Sequence, residues 1–223
     1  MWGRESEGNG MPLKNRVDPF KLLHAVPQRG AWFGNRGCIH DKHGNIKWLQ
    51  KTDRWIICEL EFKDRRRPLL QPGKYTELFF MDEATALAAG HRPCMECRRP
   101  AAKQFLELTG FKTVTALDAQ LSSERLTDGP VIEDPLSLPN GAMVGWLFTA
   151  YLVYNATLYR WSFDGYRRVE SIEADIDTNI IPNSPGLEKR CTKSSDEQIR
   201  LITPLTTIRA IENGYSAQIS LPK

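Results

Sequence analysis

Phe79-Phe80-Met81-Asp82-Glu83-Ala84-Thr85-Ala86-Leu87-Ala88-Ala89-Gly90-His91-Arg92-Pro93-Cys94-Met95-Glu96-Cys97-Arg98-Arg99-Pro100 holds the most legible local signals of the chain. The aromatic pair closes a strand predicted from Lys74 to Phe80. Asp82 has the side chain of an N-cap, Glu83 to Ala89 are good helix formers, and Gly90 suits the left-handed residue past a helix end. Pro100 then opens a second helix, which runs to Thr109 and stops at Gly110. Cys94 and Cys97 therefore sit on a tight turn at the start of that helix. Two thiols so spaced can point one way, and zinc needs about four N or S ligands. A thioredoxin-type redox pair expects a βαβ context that a preceding helix does not provide. The plain alternative is two small buried cysteines.

Outward from this stretch, the sequence predicts a helix over Asp18 to Val26, capped by Asp18 and stopped by Pro27. A glycine-rich loop follows over 30–44, then a strand over Arg54 to Phe62. After Gly110 it predicts a strand and then a helix between Phe111 and Leu126, and two or three antiparallel strands between Gly141 and Tyr166. A polar stretch covers Ile180 to Asp196. Next come a strand at Gln198 to Ile202, a helix over Leu205 to Glu212 stopped by Asn213-Gly214, and a last strand near Ala217 to Ile219. The expected class is α+β, in three parts: a disordered leader over 1–12, a zinc-binding part over 13–110, and a mostly antiparallel β part over 111–223.

The whole chain is 223 residues, 41% hydrophobic and 26% charged, which excludes general disorder. No apolar run is long enough for a membrane span and no secretory leader precedes the first residues, so a cytoplasmic protein is expected. Five cysteines, an odd number, argue for reduced thiols rather than a disulfide framework. Charge is unevenly placed. Residues 1–110 carry 19 Lys and Arg against 13 Asp and Glu, and residues 111–223 carry 11 against 14. The basic half also holds all four histidines and every cysteine except Cys191.

The run Phe79-Phe80-x-x-Glu83-Ala84-x-x-x-Ala88-Ala89-Gly90-His91-Arg92-Pro93-Cys94-x-x-Cys97-Arg98 resembles the second half of the zinc-binding domain of Ada-type DNA alkylation-response proteins, over about 25 residues. The resemblance implies a treble-clef-like zinc part, with Cys94 and Cys97 as ligands and Cys58, after Ile56-Ile57, as a third. The family's fourth cysteine would fall at Phe62, which cannot bind metal. Cys38 and His40 are the candidates for that place, with His91 and His43 behind them; both Cys38 and His40 would bind only if Cys58 does not. In the family a zinc-bound cysteine accepts a methyl group from a DNA phosphotriester, and Cys58 matches that acceptor by position. The altered motif and the lack of the accompanying modules make structural zinc the expectation.

The resemblance also implies nucleic acid as partner, specifically DNA. Arg65, Arg66 and Arg67, with Arg92, Arg98 and Arg99, are the candidate phosphate contacts, near Trp32, Phe33, Trp48 and Trp55. Two further readings stay open. One is a metal-assisted, nuclease-like enzyme using His40 and Asp41; the other is a zinc-stabilised protein-interaction module.

Overall fold

The computed structural model describes residues 12–63, 68–175 and 198–221. The leader up to residue 11, the Arg65, Arg66 and Arg67 triplet, and the polar stretch with Cys191 lie outside them.

The chain is α+β, with two sheets. The first is made of short strands: β1 (Arg16–Val17), β2 (Leu23–His24), β3 (Trp32–Asn35), β4 (Ile56–Cys58), β5 (Leu78–Phe80) and β6 (Arg92–Pro93), in the order β2-β1-β5-β3-β4-β6. The β1–β5 and β4–β6 pairs are parallel and the other pairs antiparallel. The helix expected over Asp18 to Val26 is instead the turn of the β1–β2 hairpin and its return strand. The Asp18 carboxylate, which would cap a helix, closes the turn: it accepts the Leu22 N–H at 2.8 Å and meets His24 Nε2 at 2.7 Å. Lys21 takes a left-handed φ of 75°, a conformation no helix interior allows.

Helix α1 (Glu83–Ala88) begins as the sequence predicts, with Asp82 accepting the Thr85 N–H at 2.8 Å. Gly90 ends it at φ 82°, and a Cβ there would lie 2.7 Å from Arg125 Cγ. Gly90→Ala is expected to cost more than about 1 kcal/mol in urea unfolding, because it adds both a left-handed penalty and a clash. Helix α2 (Arg99–Leu108) follows the cysteine turn and buries Ala102 and Phe105. Helix α3 (Val114–Glu124), capped by Thr113, occupies the stretch expected to hold a strand and a helix.

The second sheet is wholly antiparallel: β7 (Met143–Trp146), β8 (Thr149–Tyr154), β9 (Thr157–Ser162), β10 (Gly165–Val169) and β11 (Arg200–Leu201), in the order β10-β9-β8-β7-β11. Asn155 and Ala156, both at φ 48°, form the tight β8–β9 turn. Helix α4 (Leu205–Glu212) has its expected bounds. Ala217 to Ile219 forms no strand. Its neighbourhood bonds to the first turn of α1 instead: Gln218 N–H donates to Glu83 Oε2 at 3.0 Å and Ser220 N–H to Asp82 Oδ2 at 3.1 Å.

All six residues of α1 are buried, the pattern of a helix enclosed on every side. Ala86 and Leu87 join a core with Ile57, Phe80, Phe105, Leu117, Ala210 and Tyr215. Ala84 and Ala88 pack with Met143, Leu152 and Tyr166 of the second sheet. Residues on both sides of position 110 thus share one core.

Candidate metal centre

Cys58 ends β4, an interior strand whose parallel neighbour β6 leads directly into the cysteine turn. The Cys94 N–H donates to Ile57 O at 2.9 Å, which fixes the turn against the strand end. The sulfurs of Cys58, Cys94 and Cys97 consequently lie within 4.8 Å of one another. Tetrahedral zinc with Zn–S bonds of about 2.3 Å separates its sulfurs by roughly 3.8 Å, so the three positions fit such an ion. Cys58 and Cys94 are buried and Cys97 is half-buried.

The electrostatics favour an anionic cluster. Hydrogen bonds from Cys58 and then Cys97 pull the Cys94 thiol well below its ordinary range, and its sulfur also accepts the Glu96 N–H at 3.4 Å. The Cys58 thiol, which supplies one of those protons, is pushed up. One shared negative charge and a directed amide are what a cation would stabilise further, and sulfur donors suit zinc.

Cys38 and His40, the expected sources of a fourth ligand, do not join this group. His40 is buried with Nδ1 2.6 Å from Thr76 Oγ1 and Nε2 3.2 Å from Gln71 O, so both ring nitrogens already have partners. The Cys38 thiol donates to His40 O at 3.7 Å. Asp41 closes the following turn by accepting the N–H groups of His43 and Asn45, and His43 is exposed. Among the described residues no fourth Cys, His, Asp or Glu completes the set.

His91 is a core residue. It is fully buried, 4.9 Å from the Trp55 ring and 4.7 Å from that of Phe80. It donates from Nδ1 to Ala86 O at 3.2 Å and accepts Arg36 Nε–H at Nε2 at 3.3 Å, which fixes the neutral tautomer. Burial, then the Arg36 and Arg125 charges, hold its pKa well below 6.5. The unfolded chain therefore takes up a proton that the native state refuses. Stability should fall as pH drops below about 6.5, by up to about 1.4 kcal/mol per pH unit from this group. Urea titrations across that window should show a shallower pH dependence in His91→Gln.

Two of the arginines expected to meet phosphate are internal. Arg92 is 2% exposed and forms a two-pronged pair with Asp118, Nε to Oδ1 and Nη2 to Oδ2, each at 2.8 Å. That pair ties β6 to α3. Arg98 lies over the Trp32 ring at 4.0 Å, with Nη1 2.7 Å from Glu83 Oε1 and Nε 3.5 Å from Glu59 Oε1. A short run of arginines beside cysteines reads as surface charge, whereas the fold uses two of them as internal ties. Arg99 is exposed.

The sequence also gave no warning of the polar hub on α1. Glu83, 1% exposed, faces Arg98 and accepts the Tyr215 hydroxyl at 2.6 Å. Asp82 accepts the Thr85 and Tyr166 hydroxyls at 2.6 and 2.9 Å. Burial pushes the Asp82 carboxyl up, and the Tyr166 and Tyr215 hydroxyls likewise, each beside its carboxylate. In sequence, Asp82-Glu83 reads only as a helix start.

A scan against protein-family models finds none that matches, and searches of the curated proteins and of the solved structures return no match. No helix among the described residues is long and apolar enough to cross a membrane.

Proposed function

We propose that the protein is a zinc-binding protein in which Cys58, Cys94 and Cys97 hold the ion and the metal serves the fold. The carrying observation is the convergence of three sulfurs within 4.8 Å from the end of β4 and the β6–α2 turn. These segments are otherwise joined by a two-residue strand pairing, the amide bonds from Arg92 to Trp55 O and from Cys94 to Ile57 O, and the Arg98–Glu59 contact at 3.5 Å. A bound zinc would cross-link them and contribute its binding free energy to folding. The motif that resembles the Ada-type zinc domain falls on these same elements, which supports zinc over a redox pair. Elemental analysis of the purified protein should give about one zinc per chain. Stripping with a chelator should lower the unfolding midpoint, and a metal-free protein of unchanged stability would overturn the reading.

Nucleic-acid contact is the second reading. It is favoured by exposed Arg99 at the opening of α2, where no side chain caps the helix, since an uncapped helix start attracts phosphate. A mobility shift on duplex and single-stranded DNA should be visible at low salt, weaken steeply with added salt, and weaken several-fold in Arg99→Glu. Binding that is absent at low salt, or indifferent to salt, would remove it.

A further inference from the structure

A cavity of about 670 Å³ opens between the β1–β2 turn, the β7–β8 turn and the passage from β11 into α4. Leu22, Leu147 and Leu205 in its wall are 40%, 46% and 55% exposed. Large apolar side chains left in water thus gather at one concave mouth, beside Phe20 and Phe148, the usual make-up of a small-molecule site. Both framing turns hold a non-glycine residue in the left-handed region, Lys21 at φ 75° and Leu147 at φ 52°, which costs free energy that ordinary turns avoid. Gly145 in the wall has no side chain where a Cβ would lie 2.8 Å from the Phe20 ring.

The polar part of the wall is asymmetric. Its carboxylates Asp18 and Glu124 are satisfied by the chain itself. Asp18 takes Leu22 N–H and His24, and Glu124 takes the Thr206 N–H at 3.1 Å, the Thr206 hydroxyl at 2.6 Å and Gln120 Nε2 at 2.8 Å. Asp128 stands exposed. The guanidiniums have only neutral acceptors. Arg125 donates to Gly90 O and Asp53 O at 2.9 and 2.7 Å, and Arg200 to Gly129 O and Gln198 Oε1 at 3.1 and 3.3 Å. Neither forms an ion pair among the described residues, and the buried Nε of Arg125 has no acceptor. Arg36, fully buried and not itself a lining residue, is a third guanidinium behind the wall: it and Arg125 lie over the Trp55 ring at 3.8 and 4.3 Å. Arg36 donates from Nη1 to the carbonyl of Lys21 in the cavity wall, and its Nη2 has no partner. Burial brings Arg36 down to about 9 and Arg125 to about 10, against the opposing pull of Asp18 on the first and of Asp118, Asp53 and Glu124 on the second. Buried cations are ordinarily paired.

We propose that this cavity binds a small amphipathic organic anion, with its carboxylate drawn to Arg125 and Arg200 and its apolar body over Leu147, Phe148 and Leu205. None of Cys58, Cys94 or Cys97 lines the cavity, so this stands or falls separately from the metal reading.

Calorimetric titration and thermal unfolding of the full chain with octanoate, octylamine and propionate form the test. Octanoate should bind saturably and raise the unfolding midpoint. Octylamine has the same body with the opposite charge, propionate the same head with little body, and both should bind at least about tenfold more weakly. Arg200→Glu and Leu205→Asp, at partly exposed and exposed positions, should each weaken octanoate binding about tenfold while keeping the parent's circular dichroism. Octylamine binding as well as octanoate, no octanoate binding at roughly millimolar concentration, or folded variants that bind as the parent does would overturn the proposal. Should a variant fail to fold, the comparison of octanoate with octylamine on the parent decides.

Discussion

Cys94→Ser is expected to empty the metal site and to lower the unfolding midpoint by roughly 6–12 °C, corresponding to about 3 kcal/mol or more in a chain of this size. The Cys94 sulfur lies within 4.8 Å of both other sulfurs and accepts the Glu96 amide at 3.4 Å. Serine keeps the shape, but its hydroxyl does not ionise near neutral pH and is a poor zinc ligand. Without the metal, β6 is a two-residue edge strand held by its pairing with Ile56 and Ile57 and by the Arg92–Asp118 pair, and α2 keeps its packing through Ala102 and Phe105 and the Arg98–Glu83 contact at its start. Zinc content by elemental analysis and the midpoint by calorimetry should fall together. Cys38→Ser is the paired control, since its sulfur lies outside the group; it should retain about one zinc per chain and the parent's stability. Loss of zinc from Cys38→Ser would mean that the ligand set is wrong.

Glu83→Ala should destabilise the fold by about 3–5 kcal/mol, the usual consequence of leaving a buried charge without its partner. The variant leaves Arg98, whose side chain is 4% exposed, with only the longer contact to the half-exposed Glu59 at 3.5 Å, and also removes the acceptor of the Tyr215 hydroxyl and of the Gln218 amide. A double replacement, Glu83→Leu with Arg98→Met, removes both charges and should recover a large part of the loss. Chemical denaturation of the single and double variants measures the difference. If Glu83→Ala unfolds with the parent's midpoint, the ion pair contributes nothing.

Local punctuation carried much of the fold. Asp82, Gly90, Pro100, Gly110 and the Asn213-Gly214 pair mark helix ends whose determinants lie within a few residues, and α1, α2 and α4 stand where these residues place them. Sequence and structure part where the partner is distant or the side chain has two uses. Asp18 can cap a helix or close a turn, and the turn wins because residues 16 and 17 pair with the return strand and residue 16 also with Phe79 of β5. Ala217 to Ile219 has strand-forming character, yet the backbone of Gln218 bonds to the side chain and amide of Glu83, and that of Ser220 to Asp82, which no local window includes. At the candidate site the Cys94/Cys97 spacing and the Ile56-Ile57-Cys58 run were readable as chemistry. The internal use of Arg92 and Arg98 was not, because burial is a property of the assembled core.

The enclosure of α1 has a consequence for synthesis. The helix and the cysteine turn emerge from the ribosome early, but part of the helix's covering comes from Met143, Leu152, Tyr166, Ala210 and Tyr215. Until those later residues appear, the first sheet would present a helix with an apolar face, and with Asp82 and Glu83 still lacking the hydroxyls of Tyr166 and Tyr215 and the amides of Gln218 and Ser220, which is a state prone to association. Metal captured by the three thiols at that stage would hold β4 and α2 in register while the nascent chain waits for its second half.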